Sequence, residues 1–204
     1  LEVVRMGNTP AISPFVIFLA SMLTSNMVLV NFLGMCSFIS VSKEFKTASG
    51  LGKAVALVMV FTTVFNWIIY HFVVVPLGLE YLRYLIFIIV IAATVQIIEM
   101  AMDRYLPDLH MKLGIFLPLI TVNCAILGIS LFMVIRNYGF LQSVLFGLGS
   151  GLGWWLAISA LAAIREQMAG NELPRGLDGP AITFIITGIM ALAFVGFSGI
   201  FVVM

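Results

Sequence analysis

Phe15-Val-Ile-Phe-Leu-Ala-Ser-Met-Leu-Thr-Ser-Asn26-Met-Val-Leu-Val-Asn31-Phe-Leu-Gly34-Met-Cys36-Ser-Phe-Ile-Ser-Val41 is a run of 27 residues without a charge. As one straight helix it would measure about 40 Å, against a hydrocarbon core of about 30 Å. Strong tilt would absorb the excess. A break would absorb it too, because Asn26, Asn31 and Gly34 loosen backbone helicity locally. Either way the segment is too apolar and too long for anything but a membrane.

The rest of the chain repeats this pattern. Of 204 residues, 62% are hydrophobic and 9% are charged, against about 25% charged in a soluble domain. Uncharged runs over Ala54–Leu79, Leu113–Ile135, Asn137–Ile164 and Gly179–Met204, together with Tyr84–Met102, add five candidate spans to the first. Six transmembrane helices leave only short loops, with no room for a soluble catalytic or nucleotide-binding domain. Residues 1–14, with Pro10 and Pro14, read as an outer lead-in to a single membrane domain over 15–204. Span one is too long for the apolar region of a cleavable signal and is expected to stay. The net charge of +1 gives no basic field for nucleic acid. Seven of the ten Lys and Arg (Lys43, Lys46, Lys53, Arg104, Lys112, Arg165 and Arg175) fall after spans one, three and five. The positive-inside rule then puts both termini outside.

Span four, Leu113–Ile135, shares the character of span one, with Gly114, Pro118, Asn123 and Gly128 in an apolar run and one cysteine, Cys124. Pro118 removes a helix hydrogen bond. Three spans per half is an odd number, so halves over about 15–102 and 113–204 would enter the bilayer from opposite sides. The expected fold is therefore an all-α membrane protein of two inverted three-helix repeats, with spans one and four interrupted near a midplane site.

Chemical handles are few. Cys36 and Cys124 are the only thiols. They read either as small buried apolar residues or as half of a metal site, since an iron–sulfur cluster usually takes four thiolates and two would have to come from another chain. The run Gly147-Leu-Gly149-Ser-Gly151-Leu-Gly153 lacks the Lys, the strand and the spacing of a phosphate loop, and its four-residue steps favour close helix packing. Trp154 and Trp155 follow it, to anchor at an interface or to pack over the neighbouring site. Glu99 reads as interfacial and His71 as structural, so no acid–base pair is placed at membrane depth. If an ion passes, its oxygen ligands are expected from backbone carbonyls at a break or from Asn26, Asn31, Thr121 and Asn123.

Val30-Asn-Phe-Leu-Gly-Met-Cys36-Ser-Phe, Val41-Ser-Lys, Leu113-Gly-Ile-Phe-Leu-Pro-Leu-Ile-Thr-Val-Asn-Cys124-Ala-Ile, Gly149-Ser-Gly-Leu-Gly-Trp154 and Ala163-Ile-Arg-Glu166 resemble one family of membrane subunits. It comprises the E subunit of the sodium-translocating NADH:quinone reductase (Nqr) and the A subunit of the Rnf ferredoxin:NAD reductase, and the resemblance covers essentially everything beyond Phe15. Thr121-Val-Asn-Cys-Ala-Ile and Gly-Ser-Gly-Leu-Gly-Trp look more like the Nqr member, Leu79-Glu-Tyr-Leu-Arg83 more like the Rnf one, and the balance favours Nqr.

The resemblance implies a multi-pass subunit of a bacterial or archaeal cytoplasmic (inner) membrane, part of an oxidoreductase and not catalytic alone. It further implies that Cys36 and Cys124 bind a [2Fe-2S] cluster with two cysteines of a paralogous six-helix partner, the D-type subunit in Nqr or the E-type in Rnf. NADH and flavins would sit in other subunits. Gly34, Met35 and Asn123 are candidates to surround the cluster. Two readings compete: an inverted-repeat secondary transporter with no redox role, and a structural anchor for peripheral subunits.

Overall fold

A computed structural model of the chain describes residues 13–105, 120–168 and 179–196, and every regular element among them is helical. In order these are α1 (Pro14–Met22), α2 (Met35–Val41), α3 (Phe45–Ile69, prolonged by a π-helical turn, Tyr70–Val74), a 3-10 turn (Glu80–Leu82), α4 (Arg83–Tyr105), α5 (Cys124–Ile135), α6 (Phe140–Met168) and α7 (Pro180–Val195). Phe45–Val74, Glu80–Ala101 and Phe140–Met168 are long and apolar enough to cross a membrane, and Cys124–Ile135 and Pro180–Val195 are shorter apolar helices.

Span one is broken. Pro14 starts α1, where its missing N–H costs nothing, and the helix stops at Met22. There the Ser21 hydroxyl donates to Phe18 O at 3.0 Å and Thr24 Oγ1 to Ala20 O at 3.1 Å, while Ser25 N reaches back five residues to Ala20 O at 2.7 Å. Asn26 then organises the break. Its Oδ1 accepts from Val28 N at 3.0 Å and Leu29 N at 3.4 Å, and its Nδ2 donates across to Gly153 O on α6 at 2.9 Å. Met27, Val28 and Leu29 are all buried, so this irregular backbone is wrapped by protein, as membrane depth requires. Phe32 (φ 54°) and Gly34 (φ 85°) turn the chain through left-handed conformations before α2 begins. For a bulky residue such as Phe that costs on the order of 1–3 kcal/mol.

Asn26→Leu is expected to destabilise the protein by about 1–3 kcal/mol, because it strands the Val28 and Leu29 amides in the interior and removes the tie from Asn26 Nδ2 to Gly153 O. Thermal unfolding in detergent checks this, and a midpoint equal to that of the parent would refute it.

The helix ends differ from the charge-free runs. α3 starts at Phe45 rather than Ala54, and α6 continues past Ile164 to Met168, so Lys46, Lys53 and Arg165 are helical instead of lying in loops. The reason is that a charge near a helix end does not stop backbone hydrogen bonding; long basic side chains keep their heads at the membrane surface. Lys53 Nζ lies 5.7 Å over the Trp155 ring, and Arg165 Nη1 donates to Ile39 O at 3.1 Å and Ser42 Oγ at 2.7 Å, closing the end of α2. Residues 1–12, with Pro10, and the stretch holding Gly114 and Pro118 lie outside the described residues, as do Lys112 and Arg175.

α3 and α6 form the central pair, with α1 on the other side of α6. The glycines of α6 make both contacts possible. A Cβ at 147 would stand 2.8 Å from Thr63 Oγ1 and one at 151 would stand 2.9 Å from Ala56 Cα, both on α3; one at 153 would stand 2.6 Å from Met22 O on α1, and one at 149 would strike Ser21 and Phe18 O. This is the close backbone approach expected of small residues in a bilayer.

Candidate functional site

Both cysteines sit in the first turn of a helix that restarts after an interruption. Cys36 is the second residue of α2, after Gly34 at its N-cap. Cys124 is the first residue of α5, after a turn at Val122 and the N-cap Asn123, whose Oδ1 accepts from Ala125 N at 3.0 Å. The two interruptions are joined directly. Gly34 N donates to Cys124 Sγ at 2.9 Å, Asn123 Nδ2 donates to Ser37 Oγ at 3.3 Å, and Ser37 Oγ donates to Gly34 O at 3.1 Å. Leu33 packs against Gly128, where a Cβ would stand 2.8 Å from its Cδ1.

The joint needs glycine at 34. Its backbone is left-handed, and a Cβ there would lie 2.9 Å from Trp154 Nε1, 3.0 Å from Ala125 Cβ and 3.1 Å from Asn123 Oδ1. Trp154 is fully buried, so of the two positions open to it, it packs behind the site. Trp155 instead donates from Nε1 to Ser49 Oγ at 3.2 Å on α3.

Neither thiol is the small buried apolar residue that sequence reasoning allowed: Cys36 and Cys124 are both free and exposed. Their neighbours Phe32 and Val122 are 57% and 77% exposed, so the thiols open onto an apolar outer surface. Among the described residues no group of three or more His, Cys, Asp or Glu is placed to hold a metal ion. The chain thus presents two thiols, with one backbone N–H already directed at the Cys124 sulfur; as donors they would fit half of an iron–sulfur site and are too few for a whole one.

The other candidates divide. Gly34 and Asn123 are brought to the cysteines, and Met35 lies half-buried against the core beside Cys36. Asn26 belongs to the α6 contact rather than to the thiols, Asn31 donates weakly to Met27 Sδ at 3.8 Å, and Thr121 is half-buried just ahead of Asn123. His71 stacks on Trp67 with ring centroids 4.1 Å apart, and Glu99 is half-exposed near the end of α4. Ser37 was not singled out by sequence reasoning. Its only advance signal is a hydroxyl next to a cysteine.

Comparison with known proteins identifies the family. The family described as "Rnf-Nqr subunit, membrane protein" matches residues 14–201. The E subunit of the Na(+)-translocating NADH-quinone reductase of Aeromonas salmonicida is 53% identical over 190 residues, covering 90% of this chain and 96% of the relative. That of Maridesulfovibrio salexigens is 50% identical over 194 residues with the same coverage, and that of Chlamydia muridarum is 47% identical over 207 residues, covering 96% and 85%. With the family matching residues 14–201 and relatives about half identical over nearly its whole length, the chain belongs to the Rnf-Nqr family of membrane subunits.

Proposed function

We propose that this protein is the E-type electron-transfer subunit of a sodium-translocating NADH:quinone oxidoreductase, and that Cys36 and Cys124 hold a [2Fe-2S] cluster together with two cysteines of a paralogous six-helix subunit. The observation that carries the reading is the pair of exposed thiols on two interruptions tied together by the Gly34 N–H to Cys124 Sγ bond. A lone structural cysteine has no reason to face outward from a membrane protein at a strained break, whereas a ligand shared with a neighbour must. The names of the relatives supply the complex, the electron donor and acceptor, and the ion.

Helix lengths support a position inside the bilayer. α2 has 7 residues and α5 has 12, so they measure about 10 Å and about 18 Å. Running to opposite faces from one joint, as inverted repeats with outward termini would, they add up to about one hydrocarbon thickness of roughly 30 Å. A bound cluster would supply a one-electron station there, dividing the crossing into two shorter transfers. This chain's part is to present the thiolates, exclude water with Phe32, Val122 and the partner, and stabilise sulfur charge with the Gly34 N–H. Asn26 and Asn123 commit their amides to pinning the breaks, so the oxygen ligands of a passing ion fall to Asn31, Thr121 and backbone carbonyls at the breaks.

Analysis of the purified complex tests this reading. Iron, acid-labile sulfide and a [2Fe-2S] paramagnetic signal are expected at one cluster per copy of this chain, lost when the paralogous subunit is omitted. Sodium-dependent NADH:quinone activity in a complex whose membrane part contains no iron would overturn it.

A further inference from the structure

Two hydrogen bonds cross between the interruptions among the described residues, and one of them involves no sulfur. Gly34 N donates to Cys124 Sγ at 2.9 Å, and Asn123 Nδ2 donates to Ser37 Oγ at 3.3 Å. The second bond is made by the residues that flank the thiols: Ser37 directly follows Cys36, and Asn123 directly precedes Cys124. Each is also tied to its own helix start. Ser37 Oγ donates to Gly34 O at 3.1 Å, and Asn123 Oδ1 accepts from Ala125 N at 3.0 Å. Burial divides this pair from the sulfurs beside it, since Ser37 is 1% and Asn123 2% exposed while both cysteines are exposed. Water therefore does not compete for the Ser37–Asn123 bond. A serine hydroxyl bonded only within its own helix would be dispensable, but this one also accepts from the other side of the joint.

Resting on the reading that Cys36 and Cys124 hold a cluster, we propose that Ser37 is a positioning residue: its hydroxyl, held between Gly34 O and Asn123 Nδ2, fixes the spacing of the two thiols and keeps the Gly34 N–H on the Cys124 sulfur. Ligands of one metal group have to be held to within about 0.5 Å, and exposed side chains do not hold themselves. α2 has only 7 residues, too few for a helix to stand on its own propensity, so its placement against the start of α5 comes from contacts such as this one. Ser37 touches neither sulfur. It acts through Asn123 and Gly34. Without its hydroxyl the start of α5 draws away from α2, and the Gly34 amide loses its line to Cys124 Sγ. A donor at a ligand sulfur stabilises the reduced cluster, which carries the additional negative charge, so loosening it shifts the equilibrium toward the oxidised form.

Ser37→Ala and Ser37→Thr in the intact complex test the proposal. Ser143→Ala is the control, because Ser143 is 0% exposed and its hydroxyl bonds Tyr138 O and Gly139 O within its own segment. The readouts are iron and acid-labile sulfide content, a redox titration followed by electron paramagnetic resonance, and the coupling of the reduced cluster to 15N in complex labelled with 15N-glycine. That coupling reports a glycine amide at the sulfurs directly. Ser37→Ala is expected to keep the cluster, weaken the glycine coupling and move the reduction equilibrium about tenfold toward the oxidised form, about 59 mV for one electron. Ser37→Thr, which keeps the hydroxyl, and Ser143→Ala should both give parental values. Parental potential and coupling in Ser37→Ala overturn the proposal. Equal shifts in Ser37→Ala and Ser37→Thr also overturn it, since they assign the effect to packing rather than to the hydroxyl. If Ser37→Ala assembles without iron, the threonine variant decides: parental iron and potential there support the proposal, and loss of iron in both overturns it. A parent complex without iron and acid-labile sulfide sinks the cluster reading itself, before any variant is made.

Discussion

Replacing Cys124 with Ser is expected to abolish the [2Fe-2S] signal and to lower NADH-driven quinone reduction by roughly 100-fold or more, beyond the roughly 10–100-fold typical of changes around a metal site rather than in it. Cys36→Ser is expected to do the same. The complex should still assemble, because both thiols are exposed and neither is packed into the core. The smaller serine hydroxyl can still accept a hydrogen bond from the Gly34 amide, so the joint between the two interruptions survives. NADH oxidation by an artificial acceptor at the peripheral flavin should be unchanged, which separates a broken relay from a broken complex. The double variant should be no worse than either single one, since two ligands of one cluster fail as a unit. Quinone reduction retained at half the parental rate in both single variants would favour the transporter or anchor reading instead.

Much of this site was legible because a membrane chain leaves so few residues capable of chemistry. The excess length of Phe15–Val41 and its Asn26, Asn31 and Gly34 anticipate the break, and Asn123 in span four marks that span as interrupted, while its capping of the helix that starts at Cys124 is seen only in the structure. What the residues alone do not contain is their long-range pairing. Nothing in the spacing says that Asn26 reaches Gly153, that Trp154 stands behind Gly34, or that Arg165 closes the end of α2. These contacts join positions more than a hundred residues apart and depend on how α6 slots between α1 and α3. The boundaries at Phe45 and Met168 were missed for a simpler reason. Counting charges finds where hydrocarbon ends, while the helix continues into the headgroup region as long as its own hydrogen bonds are made.

The same slotting makes Gly153→Leu the most damaging change expected away from the thiols. A Cβ at 153 stands 2.6 Å from Met22 O and 3.0 Å from Asn26 Nδ2, and the first of these is backbone that no rotamer change can move. Overpacking of this kind costs about 1–3 kcal/mol where side chains can yield, so a backbone clash belongs at or above the top of that range. Displacing α1 also breaks the bond from Asn26 Nδ2 to Gly153 O, adding about 0.5–1.5 kcal/mol. Gly50→Ala and Gly188→Ala are the controls, since a Cβ at either position meets nothing within 4 Å among the described residues. They should leave stability level or raise it by up to about 1 kcal/mol through helix propensity. Thermal unfolding in detergent separates the two classes, and Gly153→Leu should also lose cluster iron although residue 153 touches neither cysteine. It acts on them through Asn26, which sets the path of residues 26–34 and so the direction of the Gly34 amide. A Gly153→Leu complex with parental stability and full iron content would mean that α6 does not hold the break in place.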